Sequence, residues 1–182
     1  MAENTSETIS LESIIEQASN YQSEVKVVET VQLIVFTLAG RQFALSIDQV
    51  REIVPKPMMA DIPQTPDFVK GVSNVRGSIV AMMDIESKFN FANKDQINQD
   101  DYKYAIILES ESHKAGILVK QVPNTLKVAV DQIKKSTEIM QYSSLDTSVV
   151  EGIVKQDDDL IIIVNLNQMI ESENIELPTF DI

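Results

Sequence analysis

The residue best placed to do chemistry is Arg76, in the stretch Gly71 to Asp84, GVSNVRGSIVAMMD, where an Asn-x-Arg-Gly turn separates two apolar runs. A guanidinium held on a short turn is a fork of N–H donors, suited to a partner's carboxylate or backbone carbonyls. The remaining candidates are weaker. His113 is the only histidine and falls in a predicted hairpin turn, so a catalytic triad or a histidine metal site would rest on one exposed loop residue. Asp157, Asp158 and Asp159 are three consecutive acids that point in different directions and lack EF-hand spacing, which reads as a solvated turn. No P-loop, GxGxxG or GxSxG is present, and the absence of cysteine excludes disulfides, thiolate catalysis and zinc-thiolate sites. No catalytic, cofactor or metal site is predicted.

Elements must position that arginine. Val72 and Val75 lead into the turn, Asn74 and Gly77 tolerate positive φ, and Ile79 to Met83 form the second β-competent run. Upstream, Val31 to Leu38 and the alternating Phe43, Leu45 and Ile47 predict a hairpin across Ala39 to Gln42. Asp48 is placed to cap a short helix carrying Val50 and Ile53, ended by Pro55 and Pro57, with a further strand near Met58 to Ile62. Pro63 and Pro66 then mark a turn, and the polar segment Asn90 to Asp101 marks a subdomain boundary, placed near 90–103.

Beyond it the pattern restarts, with hairpin strands at Tyr104 to Leu108 and Ala115 to Val119, and a strand through Leu126, Val128 and Val130. Ser136 to Thr147 reads as a long loop, and Val149 to Val154 with Leu160 to Val164 as a third hairpin. Asn165 caps a last helix with Leu166, Met169 and Ile170 on one face, before an acidic tail over 175–182. Residues 1–30 hold six glutamates and one lysine and read as a mostly disordered extension. Within it Leu11, Ile14, Ile15, Ala18 and Tyr21 share one face of a short helix over 10–22, capped by Ser10.

The chain also repeats itself. A shift of 81 lays Val69, Gly71 and Val72 over Val150, Gly152 and Ile153, and Asp84 and Ile85 over Asn165 and Leu166. A shift of 72 lays Leu45, Ile47, Gln49 and Val50 over Ile117, Val119, Gln121 and Val122. Under the first shift Arg76 falls over Asp157, so only one copy presents the arginine. Many short strands with frequent turns predict two related small barrels, each too small to be comfortable alone and therefore packed together.

At 182 residues and 43% hydrophobic the chain is long enough for a well-filled core. Its net charge of −13 opposes binding to nucleic acid or anionic membranes, and its 5% aromatic content opposes a small β-barrel nucleic-acid binder, the rival reading from another class. No run approaches a membrane span and no secretory leader is visible, so direct membrane insertion is not expected and the cytoplasm is.

Read in order, LIVFTLAGRQFALSIDQVREIV and IPQTPDFVKGVSNVRGSIVAMMDI closely resemble CheW, the coupling-protein family of bacterial chemotaxis. The likeness runs from about Val31 to Glu171 and is carried by Val-x-Glu-Ile at Val50 to Ile53, the Pro63 to Gly71 run, and Asn74 to Gly77. The resemblance implies a mainly β domain over 31–174, built as two intertwined five-stranded SH3-like barrels with short helices and a C-terminal helix. It also implies a non-enzymatic adaptor, without cofactor, that joins the hairpin tips of chemoreceptors to the regulatory domain of the chemotaxis histidine kinase. Such proteins sit in receptor arrays at the inner face of the membrane. By motif position, Val50, Glu52, Gly71, Asn74 and Arg76 are implied receptor or groove residues, and Val122 is one in the second unit. Ser73 departs from the aliphatic residue or threonine common there, and relatives of the same fold serve gliding or type IV pilus motility.

Overall fold

The computed structural model describes residues 28–89, 91, 101–110, 114–135 and 149–172. The expected helix at 10–22, His113, the loop from Ser136 and the C-terminal tail lie outside the described residues. Eleven strands form within them: β1 Thr30–Leu38, β2 Arg41–Ser46, β3 Val50–Pro55, β4 Val69–Val75, β5 Ser78–Met83, β6 Tyr104–Leu108, β7 Ala115–Val119, β8 Asn124–Ala129, β9 Lys134–Lys135, β10 Val150–Gln156 and β11 Asp159–Val164. Two short α-helices follow the β4–β5 and β10–β11 hairpins: α1 Ile85–Lys88 and α2 Leu166–Ser172. Among the described residues no helix is long and apolar enough to cross a membrane.

The strands make two sheets, ordered β8-β1-β2-β11-β10-β9 and β3-β6-β7-β5-β4. Each draws on both halves of the chain. The β1–β2 hairpin joins the β10–β11 hairpin through the parallel pair β2 and β11, and the β6–β7 hairpin joins β4–β5 through the parallel pair β5 and β7. The segment near 90–103 therefore divides the sequence repeat and not the sheets. The two barrels are intertwined because each half gives its first hairpin to the other half's barrel.

The repeat is visible atom by atom. Asp84 caps α1 by accepting from the Ser87 N–H at 3.2 Å, and Asn165 caps α2 by accepting from the Gln168 N–H at 3.0 Å. Arg76 and Asp157, equivalent under the 81-residue shift, both hold positive φ, +50° and +53°. The barrels also close alike. After β3 the chain bonds Ala60 to Val72 through two 2.8 Å backbone hydrogen bonds, and after β8 the two-residue strand β9 pairs Lys134 with Ile153. That ladder is why one sheet counts six strands and the other five.

Each closure crosses a glycine at a β-bulge. A Cβ on Gly71, at φ +136°, would lie 2.4 Å from the Ala60 carbonyl oxygen, and one on Gly152 would lie 2.8 Å from that of Lys134. Neither site admits a side chain without moving backbone.

The core has three parts. Val75, Val80, Met82, Tyr102, Ala105, Ile107 and Leu118 fill one barrel, and Leu33, Ala44, Val128, Val154, Ile161 and Ile163 the other. A larger cluster lies between them, with Phe36 and Phe43 of one sheet, Ile106 and Ile117 of the other, and Leu166, Met169 and Ile170 of α2. Each barrel alone buries a handful of side chains, so the shared layer supplies most of the hydrophobic stabilisation. Glu86, 3% exposed, stitches across that layer, accepting from the Ala39 N–H of the β1–β2 turn and from Lys120 Nζ after β7, each at 2.8 Å.

Three sequence expectations are corrected. Val50 to Ile53 is not a helix: Ile47–Gln49 makes one 3-10 turn without a side-chain cap, and β3 follows at once. Val50, Ile53 and Val54 are β-branched, and β6 offers a full antiparallel ladder that a six-residue helix between Asp48 and Pro55 could not match. The strand expected over Met58 to Ile62 is a single bridge at Ala60, because the prolines on either side remove ladder donors. Val130, expected in a strand, begins a 3-10 turn instead.

Candidate functional site: the Arg76 turn and the edge of β3

Arg76 and Gly77 are the two residues of the β4–β5 hairpin loop, with Val75 and Ser78 the last paired residues. Positive φ at both, +50° and +85°, gives the twist that a two-residue hairpin loop needs. Asn74 fixes the loop from within, its Oδ1 accepting from the Gly77 N–H at 2.8 Å. The turn is rigid by construction, and the long Arg76 side chain is its variable part.

That side chain reaches β3. Arg76 Nε donates to Glu52 Oε2 at 2.7 Å, with 79% of the arginine side chain exposed against 20% of the glutamate's. β3 and β4 are the two edges of one sheet, so the pair meets only because the sheet curls into a barrel. The bond uses Nε, and the two terminal nitrogens make no hydrogen bond among the described residues. A planar donor face is left pointing at solvent, aimed by a carboxylate behind it.

Val50 lies two residues before Glu52, but the β-bulge between them turns it to the opposite face of β3, half-buried against the core layer between the barrels. Glu52, Asn74 and Arg76 thus share one corner of the second sheet, while Val50 faces the layer between the barrels. Gly71 sits farther down β4 facing the Ala60 backbone, a position that serves barrel closure. Val122 lies on the β7–β8 connection, 54% exposed, where the chain passes into the other sheet, away from the β4–β5 turn that carries Arg76. The equivalent turn in the other barrel presents Asp157 and Asp158, while Asp159 Oδ2 accepts from Gln42 Nε2 at 3.0 Å.

Sequence reasoning missed Asp84 and Glu86 as buried charges. Asp84 is fully buried, capping α1, bonded by the Ser87 hydroxyl and 3.8 Å from Lys70 Nζ. Beside them Tyr102 is 2% exposed and its hydroxyl makes no hydrogen bond of ordinary geometry. Burial above all, and then the Asp84 carboxylate, hold its pKa well above the tyrosine range. Only the 81-residue match of Asp84 with the cap Asn165 pointed to any of these. No group of three or more acidic or histidine side chains is placed to hold a metal ion among the described residues.

Comparison with known proteins places this geometry. The family model described as CheW-like domain matches residues 32–174. The chain is 30% identical over 146 residues to the chemotaxis protein CheW of Klebsiella aerogenes, covering 80% of this chain and 85% of that one. It is 27% identical over 144 residues to CheW of Bacillus subtilis, covering 79% and 88%. Among solved structures it resembles the scaffolding protein TtCheW from Thermoanaerobacter tengcongensis, with a TM-score of 0.65 and 30% identity, covering 75% of this chain and 90% of that one.

Proposed function

The chain belongs to the CheW-like family, and from that premise we propose that it is a non-enzymatic adaptor coupling chemoreceptors to the chemotaxis histidine kinase. The observation that carries the proposal is the family match over nearly the whole β domain, with relatives named as chemotaxis and scaffolding proteins. The Arg76 corner adds to it. An exposed guanidinium on a rigid turn, aimed by the Glu52 carboxylate behind it, is equipped to bind through forked hydrogen bonds. Its partner is the helical hairpin tip of a receptor, whose carboxylates or carbonyls meet the terminal nitrogens of Arg76. A barrel face packs on the kinase regulatory domain, and the protein works in the cytoplasm beneath the receptor array. Such interfaces gain strength through multivalency in a lattice.

Titration of the full chain, by calorimetry or NMR, with a soluble receptor signalling tip and separately with the kinase regulatory domain tests this. Saturable binding to both is expected. Binding to neither ends the proposal.

A further inference from the structure

The chain enters its first sheet beside the turn that leads from β8 to β9. The Glu29 carbonyl accepts from the Val130 N–H at 2.9 Å, and Thr30 opens β1 opposite Ala129 at the end of β8. Val28 and Val130 are left 54% and 41% exposed there, apolar side chains that the barrel core does not use. Lysines stand on both sides of that turn. Lys127 comes before it, outward between the inward Leu126 and Val128 and in register with the exposed Gln32, and Lys134 and Lys135 of β9 come after it. All three lysines are exposed, and none makes an ion pair among the described residues. With Glu29 and Asp131 counted, the face stays net positive on a chain whose net charge is −13.

A segment that covers such a face needs acidic side chains and an apolar stripe, and the chain carries both next to it. Residues 1–27 hold five glutamates and one lysine, and Leu11, Ile14, Ile15, Ala18 and Tyr21 are spaced to share one side of a helix. A helix of that length is marginal in water unless its apolar side is covered. The six residues from Gln22 to Val27 span at most about 20 Å, so the stripe is tethered near Val28 and meets this face at high effective concentration. The CheW-like match begins at residue 32, so the segment lies outside the domain that the family shares.

We infer that the valine and lysine face at the β1 entry is the docking surface for residues 10–22 of the same chain. The stripe covers Val28 and Val130, and the neighbouring glutamates pair with Lys127, Lys134 and Lys135. The contact is intramolecular and needs neither receptor nor kinase. It lies on the first sheet, whereas the Arg76 turn belongs to the second.

The chain has no cysteine, so a spin label on Gln17→Cys in the full chain reports by NMR where that segment sits. The amide signals of Gln32, Lys127, Ala129 and Val130 should be lost to broadening while those of Asn74 to Ser78 keep their intensity. The loss should shrink at about 1 M salt, where charges are screened beyond about 3 Å. Leu11→Asp with Ile15→Asp should restore the signals, and because this variant leaves every sheet residue untouched, a failure to fold cannot imitate the result. Lys127→Glu with Lys134→Glu and Lys135→Glu should restore the remaining signals too. Full intensity throughout beside the label, losses spread evenly over both sheets, or losses that survive either variant would overturn the inference. So would the same losses on isotope-labelled chains mixed with spin-labelled ones, which would make a second copy the occupant.

Discussion

Arg76 is exposed, strained and paired, and these three facts predict how its removal behaves. Surface ion pairs contribute about 0–1 kcal/mol, and Ala carries a Cβ as Arg does, so the positive-φ cost is nearly unchanged by Arg76→Ala. Tm should move by no more than a few degrees while receptor binding weakens about tenfold, the effect of about 1.4 kcal/mol in lost charge-assisted hydrogen bonds. A large drop in Tm would make the pair structural. Glu52→Gln should weaken binding less, because the donor face remains and only its aim loosens.

Tyr102 gives the opposite kind of prediction, stability without binding. Its folded-state pKa is raised above the unfolded value of 10.0, so both states hold the proton below pH 10 and the shift contributes nothing there. As pH rises past that value the unfolded chain releases the proton first and stability falls. Denaturant melts between neutral pH and pH 11 should show the decline, and Tyr102→Phe should flatten it, since it removes the hydroxyl that titrates. The residue-scale features differ in how far the sequence disclosed them. Asn74 and Arg76 announced themselves through turn chemistry, whereas the Glu52 contact, 24 residues away, depends on two edges of a curled sheet meeting.

At the scale of elements, the hairpins were legible because two-residue periodicity and turn residues are local properties, and β1, β2, β6, β7, β10 and β11 fall where those signals stand. β3 was misread because Asp48 and two flanking prolines imitate the punctuation of a short helix, and the decisive partner, β6, is remote in sequence. Gly71 was nominated for binding from its motif, and its geometry gives a reason internal to the fold, one its repeat-mate Gly152 shares. Gly71→Ala should therefore destabilise by about 2–4 kcal/mol, since a 2.4 Å approach to backbone cannot be relieved by a side-chain rotation. Gly152→Ala, at 2.8 Å from Lys134 O and from an Ile133 methyl that can turn aside, should cost less. Urea unfolding of the two variants checks the order. If Gly71→Ala melted like wild type and lost receptor binding alone, the closure account would be wrong.

At the scale of the whole molecule, the sequence repeat announced two related units but not their exchange of hairpins, because a repeat records common descent of segments and says nothing of which copy pairs with which. The exchange makes a strong prediction. If the chain is cut between Phe89 and Asp101, each fragment keeps complete hairpins yet loses the strands that flank them: β1 loses β8, β2 loses β11, β3 loses β6 and β5 loses β7. Every one of those ladders crosses the cut, and so does the core layer that joins Phe36 and Phe43 to Ile106, Ile117 and α2. Two-stranded hairpins are marginal alone in water. Fragments 28–89 and 101–172 should each lack cooperative melting and dispersed amide spectra, and mixing them should restore both in a one-to-one complex. The complex should melt at a temperature that rises with concentration, since folding has become association. A fragment that folded by itself would mean that one barrel closes without the other's hairpin, and the intertwined account of stability would fall.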